Sequence, residues 1–169
     1  MINIGSISTI AVMTNKVSIS PKNLYGILAK GPSSFNDEVG SGADFGKQLW
    51  LNFISEALKK GIDLGQDLYG VSWPADNQTP PQEIYYFCGF ASEIEVEGFE
   101  KLELSGGNYF QYNCEVLANE IDKGFQDAYM NAMPASGLKN REGQHIEIYG
   151  QEYDPDSEIA RFRILIPVE

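Results

Sequence analysis

The stretch DLYGVSWPADNQTPPQEIYYFCGF (67–90) sets the fold, because a second stretch matches it. HIEIYGQEYDPDSEIARFRILIPV (145–168) is also 24 residues long and pairs with it without gaps. In both, a strand-like run, a polar proline-containing loop and a second strand-like run fall in register. Identity between the two is slight, so what repeats is a pattern. Each stretch follows an amphipathic helix, and each helix follows a strand. The first set is a strand at 23–31, a helix at 44–61 and strands at 67–74 and 83–91. The second is a strand at 106–114, a helix at 116–133 and strands at 145–150 and 159–168. Asp44 suits the start of the first helix, and Gly61 suits its end; Pro134 and Gly137 stop the second. The order predicts an α+β fold of two βαββ units within a single domain spanning 1–169, repeat one about 17–95 and repeat two about 100–169. Its sheet is antiparallel, its helices lie on one face, and a ligand groove follows the pseudo-twofold on the other.

Strand alternation assigns side chains to faces. His145, Glu147 and Tyr149 share one face of their strand, with Ile146 and Ile148 on the other. In the last strand Ala160, Phe162, Ile164 and Ile166 form the core face, with Arg161 and Arg163 opposed. The strand at 83–91 is read with Ile84, Tyr86, Cys88 and Phe90 on the core side. Tyr85 and Phe87 then face the groove, and Tyr69, Val71 and Trp73 join them. The expected groove is aromatic from one half and acidic from the other. A slip of one residue reverses every such assignment.

Composition narrows the function classes. The chain has 24 Asp and Glu against 12 Lys and Arg, a net charge of -12. That balance repels phosphate backbones and anionic membranes and favours cations. No basic cluster points to nucleic acid. No apolar run is long enough to cross a membrane, and no targeting segment is visible, so the sequence predicts a cytoplasmic protein. Cys88 and Cys114 lie in apolar strand-like stretches and are read as buried free thiols. One histidine cannot build a multi-histidine metal site. The acidic run QEYDPDSE (151–158) lacks EF-hand spacing and is read as a solvated loop. No P-loop, GxGxxG or GxSxG motif occurs. Neither a metal nor a cofactor is expected.

Several short stretches together resemble a known family. YGILAKGP (25–32), the Leu49–Trp50 pair of the first helix, GGNYFQYNCEV (106–116), IEIYG (146–150) and the terminal ILIPVE (164–169) are similar, in order and spacing, to the GyrI-like small-molecule-binding domain. That is the effector-binding domain of AraC-type and MerR-type multidrug regulators, and it also occurs alone. The resemblance runs over roughly 17–169 and leaves the first dozen residues unplaced. It implies a duplicated βαββ fold and a groove in which a buried glutamate meets lipophilic cations while aromatic rings stack on them. Glu147 is the matching position. No helix-turn-helix region is present, so the chain resembles the stand-alone members.

Three functions follow as expectations. The first is a binding module for cationic, aromatic, drug-like compounds, with no direct nucleic-acid or membrane contact. Glu147 is its charge anchor, and Tyr149, Tyr69, Trp73, Tyr85, Phe87 and Trp50 are its walls. A poorly solvated carboxylate gains more from a cation than an exposed one, and each ring adds about 0.5–2 kcal/mol of cation–π attraction. The second is a hydrolase of electrophilic small molecules that uses the same glutamate and tyrosine. The third is a protein-interaction module, such as the gyrase inhibitors implied by the family's name. Against all three stands a plain structural role for Glu147, neutralised by Arg161 or Arg163 across the hairpin.

Overall fold

The computed structural model describes residues 15–33 and 41–169. Eight strands form one sheet: β1 (Lys16–Ile19), β2 (Lys22–Pro32), β3 (Leu68–Pro74), β4 (Glu83–Ala91), β5 (Glu100–Leu104), β6 (Gly107–Leu117), β7 (His145–Tyr149) and β8 (Ile159–Pro167). Their order is β1-β6-β8-β7-β3-β4-β2-β5, with antiparallel pairing throughout. β7 and β3 meet at the centre, and β6-β8-β7 answers β2-β4-β3 on the other side. Two strands escaped the sequence reading. β1 and β5 are short, and both sit at the sheet's edges, where little burial pattern is imposed. The first dozen residues, which the resemblance leaves unplaced, lie outside those described.

Helix α1 (Ser41–Lys59) starts three residues before Asp44, which stands in its first turn, where a negative charge suits the helix dipole. Leu49, Phe53 and Ala57 recur every four residues and are buried against the sheet. Gly61, at φ 71°, ends the helix. There Gly61 N–H donates to Leu58 O at 3.1 Å and Ile62 N–H to Ala57 O at 2.9 Å, closing the terminus as a Schellman turn. The second helical segment begins later than expected, because β6 keeps its pairing with β8 as far as Leu117. It comprises a short 3-10 turn, α2 (Ile121–Asp127), a π turn (Ala128–Ala132) and α3 (Met133–Ala135). Pro134 carries no N–H to give to the preceding turn, and the wide π turn lies immediately before it. Among the described residues, no helix is long and apolar enough to cross a membrane.

Both sheet faces are apolar. α1 covers one end of the first face, over Tyr25, Tyr86, Cys88 and Phe90. The segment from α2 to α3 covers the other end, over Phe110, Cys114, Phe162 and Ile164. Both cysteines are free and buried there. The second face carries no described helix, yet Leu24, Val71, Phe87, Ile146 and Leu165 are at most 1% exposed. Val17 and Ile19 of β1 and Leu102 and Leu104 of β5 pack into that same cluster, although they lie at opposite ends of the strand order. A sheet brings its two edges together only by curling strongly, and the concave side here seals its own core. Truncating a side chain in this core removes burial and leaves a cavity. Phe87→Ala is expected to cost about 3–5 kcal/mol in urea denaturation. Leu51→Ala, on the exposed side of α1, is expected to stay within about 0.5 kcal/mol.

Candidate functional site

The face on which Glu147 lies follows from register. Gly70 of β3 pairs with Glu147 of β7 on one side and with Cys88 of β4 on the other. Ile164 of β8 also pairs with Glu147. All four therefore share one face, the one that α1 packs against. The glutamate thus faces the helices, not the helix-free side expected from the sequence. It sits at the β7–β3 junction, with Trp50 reaching it from α1 and Tyr129 approaching from the π turn.

An oriented chain of hydrogen bonds holds the carboxylate. The Trp50 Nε1–H donates to the Tyr86 hydroxyl at 2.8 Å. Tyr86 donates to Glu147, lying 2.9 Å from Oε1 and 3.0 Å from Oε2. The Tyr149 hydroxyl donates to Oε2 at 2.7 Å. The edge of the Trp50 ring meets Tyr149, centroids 5.2 Å apart and planes at 78°. Tyr149 in turn stacks on Phe162 at 4.9 Å. Each of these groups takes its place from an element already formed: Trp50 from α1, Tyr86 from β4, Tyr149 from β7.

No ion pair neutralises Glu147 among the described residues. Arg161 pairs with Glu115 at 3.2 Å, and Arg163 with Glu152 at 3.1 Å and Asp67 at 3.7 Å. Both arginines are committed away from the site. Burial pushes the Glu147 carboxyl above the ordinary carboxylate range, while the hydrogen bonds from Tyr149 and Tyr86 pull it back. Burial also raises Tyr86 and Tyr149 well above the usual phenol range, with the Glu147 charge adding to it. Burial and then that same charge raise the neighbouring Cys88 thiol. Glu147 nonetheless keeps some accessible surface. It is half-buried between the sheet and the helical layer and is not sealed inside the core.

A second polar pair adjoins the first on the same strand face. The Tyr129 hydroxyl lies 2.7 Å from His145 Nδ1, and the two rings stack at 5.7 Å. Burial, helped by Arg141, lowers His145 to about 4. Burial and the Glu147 charge raise Tyr129.

Glu147, Tyr149 and Trp50 are thus brought together. The other four residues expected to line the groove are not. Tyr69 and Phe87 belong to the concave core, Trp73 packs against that core, and Tyr85 stacks on Trp73 at 5.6 Å. All four project from the opposite face of the sheet. The physical reason is that β4 is apolar on both sides, so its run carries no alternation from which to read parity. Tyr86, Tyr129 and His145 were missed as site residues. Tyr86 was placed on the core side, which is correct; that side proves to be the one Glu147 faces.

The geometry sits within a known fold family. The GyrI-like small-molecule-binding domain matches residues 14–169. The chain belongs to this family. No curated protein matches the sequence. Three solved structures share the GyrI-like fold at low identity. SAV2435 bound to tetraphenylphosphonium superposes with a TM-score of 0.69 at 13% identity, over 91% of this chain and 92% of that one. A bacterial transcription regulation protein from Staphylococcus aureus MU50 gives 0.65 at 14%, over 91% and 96%. An integron cassette protein of Vibrio cholerae gives 0.67 at 14%, over 92% and 95%.

Two titrations test the site's electrostatics. His145 is the only histidine. Its ring protons in an NMR titration are expected to stay in the neutral state down to a midpoint near pH 4. The second concerns stability. An acid whose folded value is raised leaves the fold most stable below its ordinary value of 4.5, and stability falls as pH climbs towards the folded value. Glu147→Gln lacks that loss. Its urea midpoint relative to wild type is expected to rise as pH climbs above that ordinary value of 4.5.

Proposed function

We propose that this GyrI-like domain binds cationic, aromatic small molecules in the groove between α1 and the π turn, with Glu147 as the charge anchor. One observation carries the reading: a recessed carboxylate held only by tyrosine hydroxyls, with no cationic side chain paired to it among the described residues. A carboxylate in such surroundings is poorly solvated, so a cation brought to it is strongly favoured. Trp50 and Tyr149, packed edge to face beside the carboxylate, offer aromatic surface to an apolar cation. Apolar burial, at about 25 cal/mol per Å², supplies the rest of the affinity without demanding one shape. The tetraphenylphosphonium bound by SAV2435 has this chemistry: one diffuse positive charge wrapped in aromatic rings. The net charge of -12 draws cations towards the domain.

Tryptophan fluorescence tests the proposal, because the two tryptophans lie on opposite faces of the sheet. Trp73→Phe leaves Trp50 as the sole reporter. Titration of that variant with tetraphenylphosphonium is expected to give saturable quenching. Glu147→Gln is expected to weaken the binding roughly tenfold or more, with little change for the neutral triphenylphosphine oxide. Equal loss of cation and neutral binding, or no loss of either, would count against a charge anchor at Glu147.

A further inference from the structure

Tyr86 and Glu147 are not neighbours in the sheet. Tyr86 lies on β4 and Glu147 on β7, with β3 running between them. Their hydrogen bonds of 2.9 and 3.0 Å therefore pass over β3 on the helix-facing side. The β3 residue beneath the crossing is Gly70, the register partner of Glu147. A Cβ built at Gly70 would lie 2.8 Å from the Tyr86 hydroxyl, 3.0 Å from Glu147 Oε2 and 3.1 Å from its Cδ. A methyl group would therefore take up the space in which hydroxyl and carboxylate meet. Glycine inside a strand weakens it and often marks a close approach above the backbone.

We propose that Gly70 is a positioning residue of the ligand site: its missing side chain lets Tyr86 reach across β3, grip the Glu147 carboxylate and aim it into the groove. This deepens the cation-binding reading and rests on it for its functional meaning. Gly70 offers no side chain to a ligand; it acts through Tyr86. Trp50 completes the device, because its N–H fixes the Tyr86 oxygen and leaves the Tyr86 proton for Glu147. The titratable groups facing the carboxylate are Tyr86 and Cys88 from β4, Tyr149 and His145 from β7, and Tyr129 from the π turn. Of the hydroxyls, only Tyr86 depends on an empty position in the intervening strand. Loss of the Tyr86 hydroxyl withdraws one of the two donors that hold Glu147 down against its burial.

A double-mutant cycle between Gly70→Ala and Tyr86→Phe tests this, read first without any ligand. The Glu147 carboxyl is followed by carbon-detected NMR across pH and identified by its absence in Glu147→Gln. Each single variant is expected to raise its midpoint by about one pH unit, a tenfold gain in proton affinity. The double variant is expected to match Tyr86→Phe alone, because the contact that Gly70 protects is already gone. Urea midpoints give the second reading: Gly70→Ala is expected to cost more in wild type than in the Tyr86→Phe background. Tetraphenylphosphonium titrations across pH then link the device to binding, with the pH at which affinity is half lost expected to rise in step. An unchanged carboxyl midpoint in Gly70→Ala, or equal and additive effects in both backgrounds, overturns the proposal. So does a Gly70→Ala chain that fails to fold in both backgrounds. If wild type binds no cation while the carboxyl cycle behaves as expected, the binding reading fails and the positioning role of Gly70 stands.

Discussion

The site turns on one unfavourable fact, a carboxylate brought into the protein without a counter-charge among the described residues. Desolvating an ionised group costs several kcal/mol unless something answers the charge. Here the answer is partial. Two phenol hydroxyls donate to Glu147, one of them steadied by an indole N–H. They hold the carboxyl down, but burial outweighs them. The surrounding aromatic residues are placed as this compromise requires. Tyr149 must lie on the same strand face, Tyr86 must reach over β3, and Trp50 must project from α1 at the height of the Tyr86 oxygen.

The sheet makes that placement possible by carrying its core on both sides. Because the concave face seals itself through its own curled edges, the helices are not needed there. They can divide the other face between them, α1 over the β4–β2 half and the second segment over the β6–β8 half. The line between the two helical layers falls at β7 and β3, where Glu147 and Gly70 pair. The proposed binding site is thus placed where two helical segments cover the ends of an eight-stranded sheet and meet above its centre.

The sequence carried the topology better than the facing. The repeated strand, proline loop, strand pattern at 67–90 and 145–168 gave the central hairpins, and HIEIYG was correctly divided into a polar and an apolar face. Alternation works there because Ile146 and Ile148 are flanked by residues of different character. It fails in EIYYFCGF, which is apolar at every position after Glu83, because that strand is buried on both sides. The choice of Tyr85 and Phe87 over Tyr86 for the groove was therefore unsupported by any period. A further assumption did equal damage: that the helix-covered face is all core and the other face all groove. Nothing in a single strand reveals that a curled sheet can close its own concave side. Gly70 was also invisible, since its importance lies in the Tyr86 hydroxyl that passes above it.

The commitments of the arginines bear on what can neutralise Glu147. Arg161 and Arg163 were the candidate internal partners, and both instead hold acidic residues near the surface. Recruiting either would mean breaking those pairs and desolvating a guanidinium as well. A proton can settle the charge, at the expense of the tyrosine hydrogen bonds that favour the ionised form. On the proposed reading, a diffuse lipophilic cation does so with less loss. Its charge is weakly hydrated, its rings bury apolar surface, and it leaves both hydroxyl donors on the carboxylate. Proton and ligand then compete for one charge, and the network of Trp50, Tyr86 and Tyr149 tilts that competition towards the ligand by making the ionised carboxylate the better-bonded state.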